Sequence, residues 1–284
     1  MSHFRFINAL LKALTCMLLL QATAGTTARA HESIVRELAR LDERIAKSPN
    51  EAALYLRRGE LHRLHRDWAK ALADYDRAAA LAPGLTAVDI ARARALTESG
   101  RPDRAISVLT GLLEREPVAA RIERARAFEQ LGRHAEAAAD YKAVLEQHPS
   151  AEPDVAIACA RALIADQRME EAFLVLDELT RKRSGSFAID IATLDLAERL
   201  GRFDAALAHL ERILAASPRK ERWLLRKSLI LTKMRRFKEA RAACLAALSA
   251  FEKVPSSRRE TPSARKLAEA IATTLARLDT AEKS

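Results

Sequence analysis

The chain has 284 residues, a formal net charge of +10 at pH 7 and 49 % hydrophobic residues. Only 5 % of its residues are aromatic, which argues against the base-stacking platforms of single-strand binders. A mild basic excess is compatible with an anionic envelope but does not demonstrate a nucleic-acid binder, and no nucleic-acid partner is assigned.

The chain starts with an export-like segment. His3, Arg5 and Lys12 are its early basic positions, no acid occurs among residues 1–30, and an apolar run is densest from Ala13 to Leu20. Two small-residue sites follow, Ala22-Thr23-Ala24 and Ala28-Arg29-Ala30. A basic start, an apolar run and an A-x-A site make the pattern of a secretory signal peptide. The alternative, a membrane anchor, needs about 20 apolar residues, more than this run supplies. Cleavage is expected after Ala30, because helical periodicity begins directly behind it; Ala24 is the alternative. The expected address is the bacterial periplasm. Cleavage removes three bases and leaves 45 against 38 acids, a net charge of +7 with histidine neutral.

Residues 31–49 read as an N-terminal capping helix, about Glu32 to Lys47. Ile34, Leu38, Leu41 and Ile45 form one apolar stripe along it. A repeating unit then takes over. Ala71, Ala105, Ala137, Ala172, Ala206 and Ala240 recur with steps of 34, 32, 35, 34 and 34 residues. In the first unit one helix is expected from about Ala52 to His65 and a second from about Trp68 to Leu81. Gly59 and Ala71 mark a close approach of the two helices. Tyr55, Trp68 and Tyr75 fill the space between helices, and Pro83 stops the second helix.

The set Tyr55, Gly59, His62, Ala71, Tyr75, Ala78 and Pro83 resembles the tetratricopeptide repeat consensus, with His62 where that family usually has an aromatic. The resemblance covers residues 50–253 as six units: 50–84, 85–118, 119–150, 151–185, 186–219 and 220–253. The first small position becomes Gly59, Ala93, Ala125, Ala160, Leu194 and Ser228. The large position of the second helix becomes Tyr75, Leu109, Tyr141, Leu176, Leu210 and Cys244. The terminating proline is Pro83, Pro117, Pro149 and Pro218, with Ser184 and Glu252 in its place in units four and six. Gly100, Gly132 and Gly201 sit in the turns between helices, where a left-handed residue is expected. Residues 254–284 read as a loop and a C-terminal capping helix, entered by Thr261-Pro262 and striped by Leu267, Ile271, Leu275 and Leu278. The resemblance implies an all-α, right-handed solenoid of helix-turn-helix repeats with capping helices.

In that family the first helix of each unit, helix A, lines the concave face. The fifth positions of the units would then form an aliphatic line: Leu56, Ile90, Ile122, Ile157, Ile191 and Leu225. The ninth positions are Glu60, Arg94, Arg126, Arg161, Asp195 and Leu229. Arg94, Arg126 and Arg161 would form a ladder whose planar donor forks suit carboxylate or phosphate. They could instead pair with Glu98, Glu123 or Glu129. Replacing the three with alanine is expected to leave stability almost unchanged. One variant of the family clamps a terminal carboxylate with asparagines at the ninth position of its first two units. Glu60 and Arg94 depart from that pattern.

Other features are weaker. Unit six is rich in bases, Arg222, Arg226, Lys227 and Lys233 among them, and Arg181-Lys182-Arg183 reads as a basic loop. His62 and His65 are spaced i, i+3 without a third metal ligand, and His31 would become an amino terminus able to hold copper. No metal site or cofactor is assigned. Cys159 and Cys244 fall in different repeats at different core positions. Neighbouring helices pack about 8–10 Å apart, so a bridge spanning at most about 7 Å between Cα atoms is not expected. No phosphate loop, nucleophile elbow or metalloprotease helix is present. The primary reading is a non-enzymatic scaffold that holds a protein or peptide in the helix-A groove, acidic residues being the contacts the arginines would suit. The alternative is a basic surface that docks on anionic lipid or cell-wall polymer.

Overall fold

The structure is a computed structural model that describes residues 33–148, 153–182 and 186–281. The expected signal peptide with Cys16, and also His31, Pro149, Arg183 and Ser184, lie outside the described residues. Helices follow one another through these segments, and no strand occurs among the described residues. The helix over 33–47 is α1. Then come α2 (Ala52–Leu64), α3 (Trp68–Leu81), α4 (Thr86–Glu98), α5 (Pro102–Thr110), α6 (Pro117–Gln130), α7 (His134–Gln147) and α8 (Pro153–Ala165). They continue as α9 (Met169–Lys182), α10 (Phe187–Arg199), α11 (Phe203–Ala216), α12 (Glu221–Lys233), α13 (Phe237–Glu252), α14 (Ser256–Arg259) and α15 (Pro262–Ala281). Among the described residues no helix is long and apolar enough to cross a membrane.

The chain divides into two compact units, with the boundary between Leu131 and Gly132. In the first, α3 packs on α2 and α4, and α5 on α4 and α6. The first helices of successive repeats, α2, α4 and α6, also touch in series. In the second unit the same neighbour-to-neighbour order runs from α7 to α13. Helix α15 packs on both α12 and α13, the place a further helix A would take.

Packing explains the repeated small residues. All six recurring alanines, from Ala71 to Ala240, have no exposed surface. A Cβ on Gly59 would lie 2.6 Å from Tyr75 Cε1 and 3.2 Å from the Ala71 carbonyl oxygen. That space exists only for glycine. The large positions Tyr75, Leu109, Tyr141, Leu176, Leu210 and Cys244 are all buried. At the chain ends, Leu41 of α1 and Ile271 and Leu278 of α15 are buried, and the other stripe residues are half-buried.

The turn inside each repeat uses one left-handed residue. Gly100, Gly132 and Gly201 have φ of +79°, +71° and +71°. Arg66, Gln167 and Arg235 adopt the same conformation, with φ of +62°, +63° and +57°. The amide after the left-handed residue donates five residues back, as in Asp67 N to His62 O and Arg101 N to Leu96 O, both 2.8 Å. This satisfies carbonyls that would otherwise be orphaned at a helix end.

Several boundaries differ from expectation. Helix α5 stops at Thr110 rather than running to Pro117, and Pro117 opens α6, where its missing N–H has no intrahelical acceptor anyway. Helix α2 ends at Leu64, one residue early. Arg181 and Lys182 belong to the end of α9 and not to a loop. The connection after Glu252 contains a single helical turn, α14. Thr261 does cap α15, its Oγ1 accepting from Ala264 N at 3.3 Å.

Candidate functional site

In the first unit, α2, α4 and the start of α6 enclose a cavity of about 380 Å³. Leu56 and Ile90 line it from the fifth positions, and Glu60 and Arg94 from the ninth. Ala87 and Ala119 keep the walls low, and Thr86 Oγ1 donates to Glu116 Oε1 at 3.0 Å across its edge. Leu56, Ile90 and Ile122 are half-buried, so each presents part of an aliphatic side chain to solvent.

The charges of this face are organised in two clusters. Glu60 accepts from Tyr75 Oη at 2.8 Å and from Arg63 Nη2 at 3.0 Å, while Arg63 Nη1 donates to Glu98 at 2.7 Å. Burial, reinforced by the Glu60 carboxylate, pushes the Tyr75 phenol well above its ordinary range. In the second cluster Arg94 donates from Nε and Nη2 to Glu123 Oε1 at 3.1 and 2.6 Å. Arg126 Nη1 reaches the same oxygen at 2.8 Å. The Glu123 side chain is only 7 % exposed, against 34 % for Arg94 and 55 % for Arg126. Burial alone would lower the Arg94 pKa; the Glu123 hydrogen bonds reverse this and raise it. The cluster carries two cations on one anion, and only one nitrogen of Arg126 is engaged among the described residues.

The second unit holds the remaining groove candidates. Ile157 and Ile191 are half-buried, Leu225 is buried, and Arg161 on α8 is exposed. Asp195 on α10 pairs with Arg226 of α12, which also binds Glu198. Lys227 pairs with Glu211, and Lys233 lies 4.0 Å from Glu198. Three of the four bases read as a docking surface are therefore engaged within the chain. Arg222 instead stacks over the Trp223 ring, 4.9 Å from its centroid.

Polar groups that sequence reasoning passed over lie deeper. His209 is 1 % exposed, with Nδ1 3.0 Å from Asp190 Oδ1 and Nε2 3.1 Å from Asp177 Oδ1. Arg212 Nε donates to the same Asp190 oxygen at 2.8 Å, so the network ties α9, α10 and α11 together. In the first unit Arg58 makes a two-pronged contact with buried Asp74 at 2.6 and 2.9 Å. A signal was available: Asp74, Asp140 and His209 each stand three residues after a recurring alanine, on the buried face of the helix. His62 lies 3.9 Å from Asp74 and burial lowers its pKa, while His65 is exposed. Among the described residues no three metal-ligating side chains converge.

A sequence profile described as tetratricopeptide repeat matches residues 19–86, 90–152 and 192–256, and a second of the same description matches 129–189. The chain belongs to the tetratricopeptide repeat family. Its all-α helix-pair repeats are those of a protein-interaction scaffold, and tetratricopeptide proteins commonly bind protein partners. Solved structures agree on the fold. The C-terminal part of a TPR repeat-containing protein from Cytophaga hutchinsonii aligns with a TM-score of 0.60 at 13 % identity, covering 83 % of this chain and 94 % of that one. PilW, a type IV pilus biogenesis factor, aligns with a TM-score of 0.52 at 17 % identity, covering 64 % of this chain and 86 % of that one. No curated protein matches this tetratricopeptide chain.

Proposed function

We propose that the chain is an exported, non-enzymatic scaffold that holds a segment of a partner protein on the helix-A face of its repeats. The observation that carries this reading is the cavity across α2, α4 and α6, with Leu56 and Ile90 as an apolar bed and Arg94 at its rim. The spare donors of exposed Arg126 favour a segment bearing carboxylates. Docking on anionic lipid or cell-wall polymer has less support, because Arg226, Lys227 and Lys233 already face acids.

The test places a photo-crosslinking residue at Ala87, which is exposed and lines the cavity, or at exposed Ala73 on α3. Crosslinking is done in intact cells. A discrete partner adduct at Ala87, absent at Ala73 and reduced by Arg126→Glu, is expected. Equal adducts at both positions would remove the groove as the binding face. The same purified protein should begin at His31; an intact Met1 terminus would overturn export by cleavage after Ala30.

A further inference from the structure

A larger cavity, of about 890 Å³, lies in the second unit where α10, α12 and α15 meet. Its apolar wall is made by Phe187 and Trp223, edge to face with centroids 6.1 Å apart and planes at 87°. Trp223 is 6 % exposed, whereas Phe187 leaves 40 % of its surface in solvent. The chain therefore builds an aromatic recess and does not fill it.

The rim is basic. Arg219, Arg222, Arg226 and Arg258 line the cavity, with Glu221 as the one acid. Arg219 is neutralised by Glu221 at 2.6 Å, and Arg226 by Asp195 and Glu198. Arg222 and Arg258 have no carboxylate partner among the described residues. Stacking of Arg222 on Trp223 fixes its planar fork while leaving its donors unused. The first turn of the 20-residue helix α15 borders the same space and adds the positive end of its dipole.

We propose that this cavity binds a short acidic segment of a partner protein, an apolar side chain packing on Phe187 between carboxylates held by Arg222 and Arg258. The inference rests on the reading of the chain as a scaffold for protein segments, but uses none of the groove residues of the first unit. A bilayer or wall polymer presents charge over a broad surface, and Arg226, Lys227 and Lys233, which would meet it together with Arg222, already face acids. Two free cations around a recessed aromatic fit one apolar anchor with a few flanking acids. A volume near 890 Å³ is at the upper end of what ligand sites enclose, about 300–1,000 Å³, and holds several side chains.

The chain has two tryptophans, so Trp68→Phe leaves Trp223 as the sole fluorescent reporter of the cavity. The full-length Trp68→Phe protein is screened against an octapeptide array. The peptides vary in the number of Asp and Glu residues and carry Phe, Leu or Ser at the centre. Acidic peptides with central Phe or Leu should bind and shift the Trp223 emission. Arg222→Ala and Arg258→Ala should each weaken them about tenfold or more, as loss of a charge-assisted hydrogen bond does. Central Ser, or Lys in place of the acids, should abolish binding. Ile90→Ser with Arg126→Glu should leave it unchanged, which separates failure of the first-unit groove from failure of this cavity. Absence of any acid-and-apolar preference, or indifference to both arginine changes, overturns the proposal. So does binding of phosphatidylglycerol vesicles or polyphosphate that depends on Arg222 when no peptide binds. Should Arg222→Ala disturb the helical circular dichroism spectrum, Arg258→Ala, on exposed α14, carries the decision.

Discussion

Glu123 sets what the arginines around it are worth. It is a nearly buried carboxylate that takes two donors from Arg94 and one from Arg126. Removing Arg94 leaves a desolvated anion served only by a solvent-exposed side chain. Arg94→Ala should therefore cost about 1–3 kcal/mol in a denaturant melt, the cost of an under-satisfied buried acceptor. Arg126→Ala, at the exposed rim, should cost under about 1 kcal/mol. Equal losses would show that Glu123 does not depend on Arg94. This revises the expectation that the arginine ladder is dispensable for stability. Glu98, Glu123 and Glu129 were all within plausible reach by spacing. Arg63 takes Glu98, and Glu123, one turn from Arg126 on α6, is also reached by Arg94 from 29 residues away on α4. The Arg94 pairing depends on the rotation of α4 against α6, which one helix's sequence does not specify.

At the scale of the helix pair, the small residues were the most legible feature. Gly59 meets the Ala71 carbonyl, where a Cβ would lie at 3.2 Å, and the equivalent Ala93, Ala125, Ala160, Leu194 and Ser228 are all buried, Leu194 being the one large residue. Ala71 sits at zero exposure beside Gly59 and Tyr75. Ala71→Leu should overpack this contact and cost about 1–3 kcal/mol. Ala87→Leu, at an exposed position of α4, is the matched control and should change thermal stability far less. Equal shifts in melting temperature would remove the packing role. The turns were half legible. Glycine announced three of them, but Arg66, Gln167 and Arg235 take the same left-handed conformation without it. A non-glycine residue there costs roughly 1–2 kcal/mol, and in these repeats the packing of the two helices imposes the conformation regardless. Helix α5 was misjudged for a related reason. Pro117 signals a boundary, but proline opens helices as well as closing them, and here the chain leaves the helix seven residues earlier.

Over the whole molecule, contacts join helices that are close in sequence, which is why a period of about 34 residues sufficed to read the fold class. The interaction surfaces were harder to read. The first-unit cavity combines fifth and ninth positions that the repeat register identifies. The second-unit cavity needs Phe187, Trp223 and Arg258, which come from α10, α12 and α14 and share no register. The same locality predicts how damage spreads. Cys159 and Cys244 are both buried free thiols of the second unit. Cys159 lies against the Ala138 carbonyl at 3.9 Å, and burial pushes its pKa up to about 12. Cys244 lies 3.5 Å from the Ile271 carbonyl of α15, within the cluster that Ile271 and Leu278 complete. Ending the chain at Glu260 deletes that cover. In a repeat array, where each unit leans on its neighbours, the loss should stay near the end. Cys244 should then react with a thiol reagent at pH 8 far faster than in the full chain, while Cys159, two repeats away, keeps its protection. Simultaneous reaction of both thiols would mean that the second unit unfolds as a single block. Protection of both would mean that α15 does not cover Cys244.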